Sequence, residues 1–174
     1  MARPSEDLFN YLDEYHLSFQ TLLDNGLKSR EFRYKEDAIK MIGKLDLESR
    51  KEVRVLSIGS GNGDVDLHFI NALVDKYTKI HYTVVEPAKA SIDEFKRLTK
   101  SKKDIWNGVN FIFRVQEVED YLEEGGTSDK YDVIHACHSL YRCRDAENTL
   151  HYLYNMLSKE GMLLIRVIKG THTY

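Results

Sequence analysis

Short strands rich in branched residues, alternating with amphipathic helices, predict an α/β fold: a doubly wound, mostly parallel sheet of Rossmann-like form covered on both faces. Three observations carry that expectation. Apolar runs recur at Val53–Ile58, His81–Val85, Val109–Phe113, Tyr131–Ala136 and Met162–Ile168. Helical spacing fills the intervals between them. The first run ends in Gly59, Gly61 and Gly63, a flexible turn at a strand end. Right-handed crossovers then favour five strands in the order 3-2-1-4-5.

Taken in order, the first element is a helix opening at Ser5, with Glu6 and Asp7 in its first turn and Leu8, Tyr11, Leu12, Tyr15 and Phe19 at helical spacing. It continues to about Leu23, where Asn25-Gly26 breaks it. A second helix is expected from about Arg33 to Leu45, with Ala38, Ile39, Ile42 and Leu45 on one side. After the first strand, helices are predicted over Val65–Tyr77, Ala88–Thr99, a short stretch at Val118–Leu122, and Ala146–Leu157. The chain reads as a single domain over 1–174, with 1–50 as a helical cover and 51–174 as the α/β core. The fifth strand is expected to be an edge, open to pairing with a second copy in a homodimer.

Composition narrows the function. The net charge of -3, with signs interspersed, gives no broad basic field for nucleic acid. Lys100, Lys102 and Lys103 form only a short basic patch. Cys137 and Cys143 are too few for a disulfide framework, and the chain opens without a secretion-like segment, so a cytoplasmic setting is expected. No apolar run approaches the roughly 20 residues that cross a bilayer.

The chemistry concentrates at two strand ends. Val55-Leu-Ser-Ile-Gly-Ser-Gly-Asn-Gly-Asp64 places a glycine turn after the first strand, and Glu86 ends the second. Backbone amides and glycine's missing side chain allow close approach of a ligand, while a strand-end carboxylate can accept ribose hydroxyls. A dinucleotide fingerprint needs its last glycine three positions after the second; here it falls at 63. Asp64 and Asp66 at the helix start would also oppose a pyrophosphate. Both features disfavour a nicotinamide oxidoreductase and suit a nucleoside ligand that carries a positive centre.

The run from Val55 to Leu67, followed by Val84-Val-Glu-Pro87, resembles class I methyltransferases that use S-adenosyl-L-methionine. The resemblance implies that the glycine loop approaches the amino-acid part of this cofactor and that Glu86 binds its ribose. Leu56-Ser-Ile-Gly59, Asp64-Val-Asp-Leu67, Val84-Val-Glu-Pro87, Asp132-Val-Ile-His135 and the opening helix with Tyr15, Ser18 and Phe19 are similar to the histamine N-methyltransferase family. Members of that family are longer, and the last part of the usual fold has no counterpart here. The likeness implies a cofactor set of Gly59, Ser60, Gly61, Gly63 and Glu86, and a substrate set including Tyr15 and Phe19. Where the family holds a glutamate that recognises its amine, this chain has Lys28, whose charge would repel an amine cation. His138 stands where the family has a glutamine.

His135, Cys137, His138 and Tyr141 cluster after the fourth strand, on the side where open sheets gather ligands. Cys137 and His138 are assigned to the cofactor cavity, and Tyr141 to stacking on a planar substrate. Their spacing forms no tetrahedral metal pattern, and no metal is expected. The expected reaction moves a methyl group to a small-molecule nitrogen nucleophile, an amine in its neutral form. His138 is the candidate base for the proton it loses. The alternative is a non-catalytic or regulatory domain that binds the cofactor beside an incomplete substrate pocket.

Overall fold

The computed structural model describes residues 31–47 and 50–167. The predicted first helix, with Tyr15 and Phe19, lies outside them, as do Lys28 and Ile168. The described chain starts with helix α1, residues 31–44. It continues through β1 (Glu52–Ile58), α2 (Asp64–Val74), β2 (Lys79–Val85), α3 (Lys89–Ser101) and β3 (Val109–Arg114). Next come α4 (Val118–Glu123), β4 (Tyr131–Cys137), α5 (Ala146–Asn155) and β5 (Leu157–Arg166). All strand pairs are parallel, in the expected order β3-β2-β1-β4-β5.

Parallel strands covered on both sides must be largely apolar, and the buried positions of the central ones are mostly so. In β1, Val53, Val55 and Leu56 are fully buried; in β4, Val133, Ile134 and Ala136 are. One core packs α1, α2 and α3 against the β1–β3 side, around Ile42, Phe69, Ile70, Tyr82 and Phe95. A second gathers Leu56, Ile134, Leu153 and Met156 with α4 and α5.

Three expectations need correction. On α1 the buried stripe is Ala38, Met41, Ile42 and Leu45, while Ile39 is exposed: at roughly 100° per residue the four buried positions fall within an arc of about 100°, and position 39 lies about 60° beyond its edge. Helix α2 ends at Val74; the amides of Lys76 and Tyr77 both turn back to Leu73 O, so Tyr77 closes a turn. The fifth strand begins at Leu157 rather than Met162. Its pairing skips from Tyr131↔Leu157 to Val133↔Met162. Gly161 permits this bulge, since a side chain there would meet Tyr131 O at 2.9 Å. The polar residues Ser158–Glu160 obscured that start.

Candidate functional site

Parallel strands bring their carboxyl ends to one edge of the sheet, and the switch from β1–β2 to β1–β4 opens a crevice there. A cavity of about 790 Å³ fills it. Ser57 to Asn62, the start of α2, and Val85 to Ala88 form one side; Cys137, His138 and Ser139 form another. Glu31 and Tyr34 of α1 also line it.

The glycine loop owes its shape to left-handed backbone at three positions: Gly59 (φ 65), Gly61 (φ 55) and Gly63 (φ 89). The three do different work. A Cβ on Gly59 would stand 2.3 Å from Ser139 Cβ, so this glycine lets the β4 loop close on β1. Ser139 completes that closure by donating to Ile58 O at 2.8 Å. A Cβ on Gly63 would strike the Phe95 ring; Gly63 lies outside the cavity lining and serves packing of the loop on α3. At Gly61 nothing lies within 4 Å of where a Cβ would be, so the loop presents bare backbone beside open space.

Glu86, buried and directly after β2, holds this loop in place. Its Oε2 accepts the Gly61 amide at 3.0 Å and its Oε1 accepts the Ala88 amide at 2.9 Å. Gly59 N also donates to Val85 O at 2.8 Å. A carboxylate oxygen has two lone-pair sites, so each oxygen retains capacity for a hydroxyl donor from a ligand.

Beneath the loop lies a polar group whose connections the sequence did not reveal. Tyr82 donates its hydroxyl to Asp66 Oδ1 at 2.9 Å and contacts His135 Nε2 at 2.8 Å. His135 stacks on Phe69 with ring centres 4.3 Å apart. Burial pushes the Asp66 carboxyl up, against the opposing effects of His135, Ser57 and Tyr82. Burial pushes His135 down, partly countered by Asp66, and raises Tyr82 well above its ordinary value. Asp66 Oδ2 and Ser57 Oγ, both buried, have no hydrogen-bond partner among the described residues. An unsatisfied buried polar atom costs about 1–3 kcal/mol.

Across the cavity, Cys137 is shielded enough that its thiol is pushed up to about 12, first by burial and then by Asp66, so it is not a thiolate nucleophile. His138 adopts φ 59, left-handed backbone that a residue with a Cβ takes at a cost of roughly 1–3 kcal/mol. Its amide donates to Arg166 O at 2.8 Å, and its ring meets Tyr34 edge-on at 5.9 Å. Arg166 in turn lies over the Tyr34 ring and pairs with Asp37. Tyr141 is 62% exposed on a short helical turn and does not line the cavity.

Several lining residues escaped the sequence reading. Ser91 faces the cavity from the first turn of α3, two residues after that helix begins, and Glu117 and Val118 reach it from the end of the β3 loop. Their position just beyond strand ends was the available signal. Among the described residues, no group of three or more His, Cys, Asp or Glu is placed to hold a metal ion. No helix among them is long and apolar enough to cross a membrane.

Comparison with known proteins decides the family. The methyltransferase domain family matches residues 27–172. The chain belongs to the class I, S-adenosylmethionine-dependent methyltransferases. This methyltransferase domain is 30% identical to histamine N-methyltransferase of Mus musculus over 182 residues, covering 98% of the chain and 60% of that protein. It is 29% identical to carnosine N-methyltransferase 2 of Gallus gallus over 167 residues, 91% of the chain and 51% of that protein. The domain thus spans between about half and three fifths of the length of these relatives. The plantazolicin methyltransferase BpumL in complex with SAH shares its fold, with a TM-score of 0.59, 16% identity, and coverage of 93% of this chain and 53% of that one.

Proposed function

We propose that this domain binds S-adenosylmethionine across the β1–β2 strand ends and transfers its methyl group to a small-molecule nitrogen nucleophile. The carrying observation is the pairing of Gly61, whose missing side chain leaves open space, with Glu86, whose carboxylate holds the Gly61 amide at 3.0 Å. That arrangement fits the cofactor: bare backbone admits its amino-acid end, and Glu86 retains acceptor capacity for ribose hydroxyls. Gly59, Ser60, Gly61 and Glu86 would hold it on one side, Cys137 and His138 on the other; Gly63 acts by packing.

When bound, the cofactor supplies an electrophilic methyl group. The chain's own task is alignment, since holding two reactants at near-contact distance can lower a barrier by several kcal/mol. In this reading Tyr34 and His138 border the acceptor. His138 takes the proton an amine loses, its ring position set by strained backbone and by contact with Tyr34. Tyr15, Phe19 and Lys28 belong to the same acceptor assignment, and the names of the relatives, histamine and carnosine N-methyltransferases, support a small nitrogen acceptor. Lys28 argues against methyl transfer to histamine itself, whose ammonium it would repel. Tyr141, exposed as it is, would reach an acceptor only outside the cavity. The same reading expects a cytoplasmic setting, with both cysteines free, and a homodimer paired through β5, supported by the position of β5 at the sheet edge.

Calorimetric titration with S-adenosylhomocysteine tests the cofactor assignment, with saturable binding expected for the wild type. Glu86→Ala should weaken that binding at least roughly tenfold, the worth of charge-assisted hydrogen bonds. Unchanged affinity would remove Glu86 from the site. Methylated product from an amine panel, detected by mass spectrometry, would establish turnover; cofactor binding without product would favour a regulatory domain.

A further inference from the structure

Tyr34 and His138 come from distant parts of the chain, the start of α1 and the loop after β4, yet both line the cavity and their rings meet edge-on at 5.9 Å. One residue outside the lining touches both. It is Arg166, the last residue of β5. Its carbonyl accepts the His138 amide at 2.8 Å, which carries the Cys137↔Arg166 pairing one residue past the end of β4. Its guanidinium lies 5.1 Å from the centre of the Tyr34 ring and pairs with Asp37, one turn further along α1.

Residues three apart share a helix face, so Tyr34 and Asp37 present one face of α1 to Arg166. Arginine suits this place because its planar group can stack on a ring and still donate in plane to a carboxylate, whereas lysine can pair but cannot stack flat. The Arg166 and Asp37 side chains keep 21% and 34% exposure, and a pair in contact with water adds little to folding. Its larger consequence is where it puts the Tyr34 ring. We propose that Arg166 and Asp37 are positioning residues that fix Tyr34 against His138 and thereby set the width of the cavity at its acceptor end. The assignment rests on the reading that Tyr34 and His138 border the acceptor, and adds what holds them at their separation. The two holds are distinct: the backbone of Arg166 keeps His138, and its side chain keeps Tyr34. Replacing the side chain therefore moves Tyr34 alone.

The test compares Arg166→Met, Arg166→Lys and Asp37→Asn with the wild type, each in the full chain. Calorimetry with S-adenosylhomocysteine should give the wild-type affinity within about twofold, because neither residue lines the cavity. Methyl transfer from S-adenosylmethionine is followed with 4-methylimidazole, tyramine and tryptamine, nitrogen nucleophiles of increasing width. Arg166→Met should raise the kcat/KM ratio of tryptamine to 4-methylimidazole by about tenfold, and Arg166→Lys and Asp37→Asn should shift it less. Nuclear Overhauser contacts between the Tyr34 and His138 ring protons should be present in the wild type and lost in Arg166→Met. An intact ring contact in that variant, or an unchanged ratio, would overturn the assignment. Equal loss of all three turnovers together with cofactor binding would overturn it too, since a pair that only stabilises the fold behaves in that way. No product from the wild type with any of the three would instead overturn the transfer reading, and the ring contact then decides whether Arg166 holds Tyr34.

Discussion

The two sides of the cavity are built in different ways. On the β1–β2 side the ladder runs unbroken from Glu52↔Lys79 to Ile58↔Val85, and the loop above it is tied by backbone amides to Val85 O and to Glu86. On the β4–β5 side the ladder skips at a bulge, β5 has no fully buried residue, and the wall depends on side chains: His138 against Tyr34, Tyr34 beneath Arg166. The difference teaches where variation can be absorbed. A wall made of backbone fixes one ligand shape, whereas a wall made of side chains can be altered residue by residue to accept another. This division suits an invariant cofactor facing a variable acceptor.

The contrast can be broken most forcefully at the junction of the two sides. Gly59→Ala combines a left-handed backbone with a clash against Ser139, and should cost about 3 kcal/mol of stability in urea unfolding. Gly61→Ala has no clash, so its stability loss should be about 1–2 kcal/mol, while S-adenosylhomocysteine binding falls further than stability does. If both substitutions cost the same stability, Gly59 is not the hinge between the sides.

A second link joins them at the opposite end of the sheet. Asp132 on β4 accepts from the β1 amide of Arg54, from the Arg50 side chain and from the Ser158 hydroxyl in the β5 bulge. Asp132→Ala orphans the Arg54 amide and should cost about 2 kcal/mol, read by denaturant unfolding. Because the cavity lies at the other strand ends, cofactor affinity should be preserved; its loss would mean that the two sides are not independent.

The smallest effect concerns acid. His135 has a folded pKa below its ordinary 6.5, so the unfolded chain takes up the proton first as pH falls. Its contribution is therefore complete above that value and is lost below it. Asp66, pushed upward by burial, acts with the opposite sign, since the folded form binds its proton first. His135→Gln should flatten the fall in stability from about pH 7.5 to about pH 5.5, measured by urea unfolding at each pH. An unaltered slope would show that His135 does not titrate as a buried neutral ring.

Strand order, the glycine turn and Glu86 were legible in the sequence because each is a local signal: an apolar run, a turn residue, an acid at a strand end. The Asp66–Tyr82–His135 group was not. Asp66 read as an acid opposing phosphate at a helix start, and only packing across 16 and 53 residues of sequence separation turned it inward beneath the loop. Gly63 was grouped with its neighbours by spacing, although its contact with Phe95 gives it a different task. Tyr141 looked like a stacking residue from its distance to β4, but the short helical turn after His138 directs it to solvent.

A crystal structure of this chain with S-adenosylhomocysteine bound tests the central claim most directly. The account predicts ribose hydroxyls on Glu86 and the ligand's amino-acid end passing Gly61. A ligand seated elsewhere, or a ribose making no contact with Glu86, would contradict it.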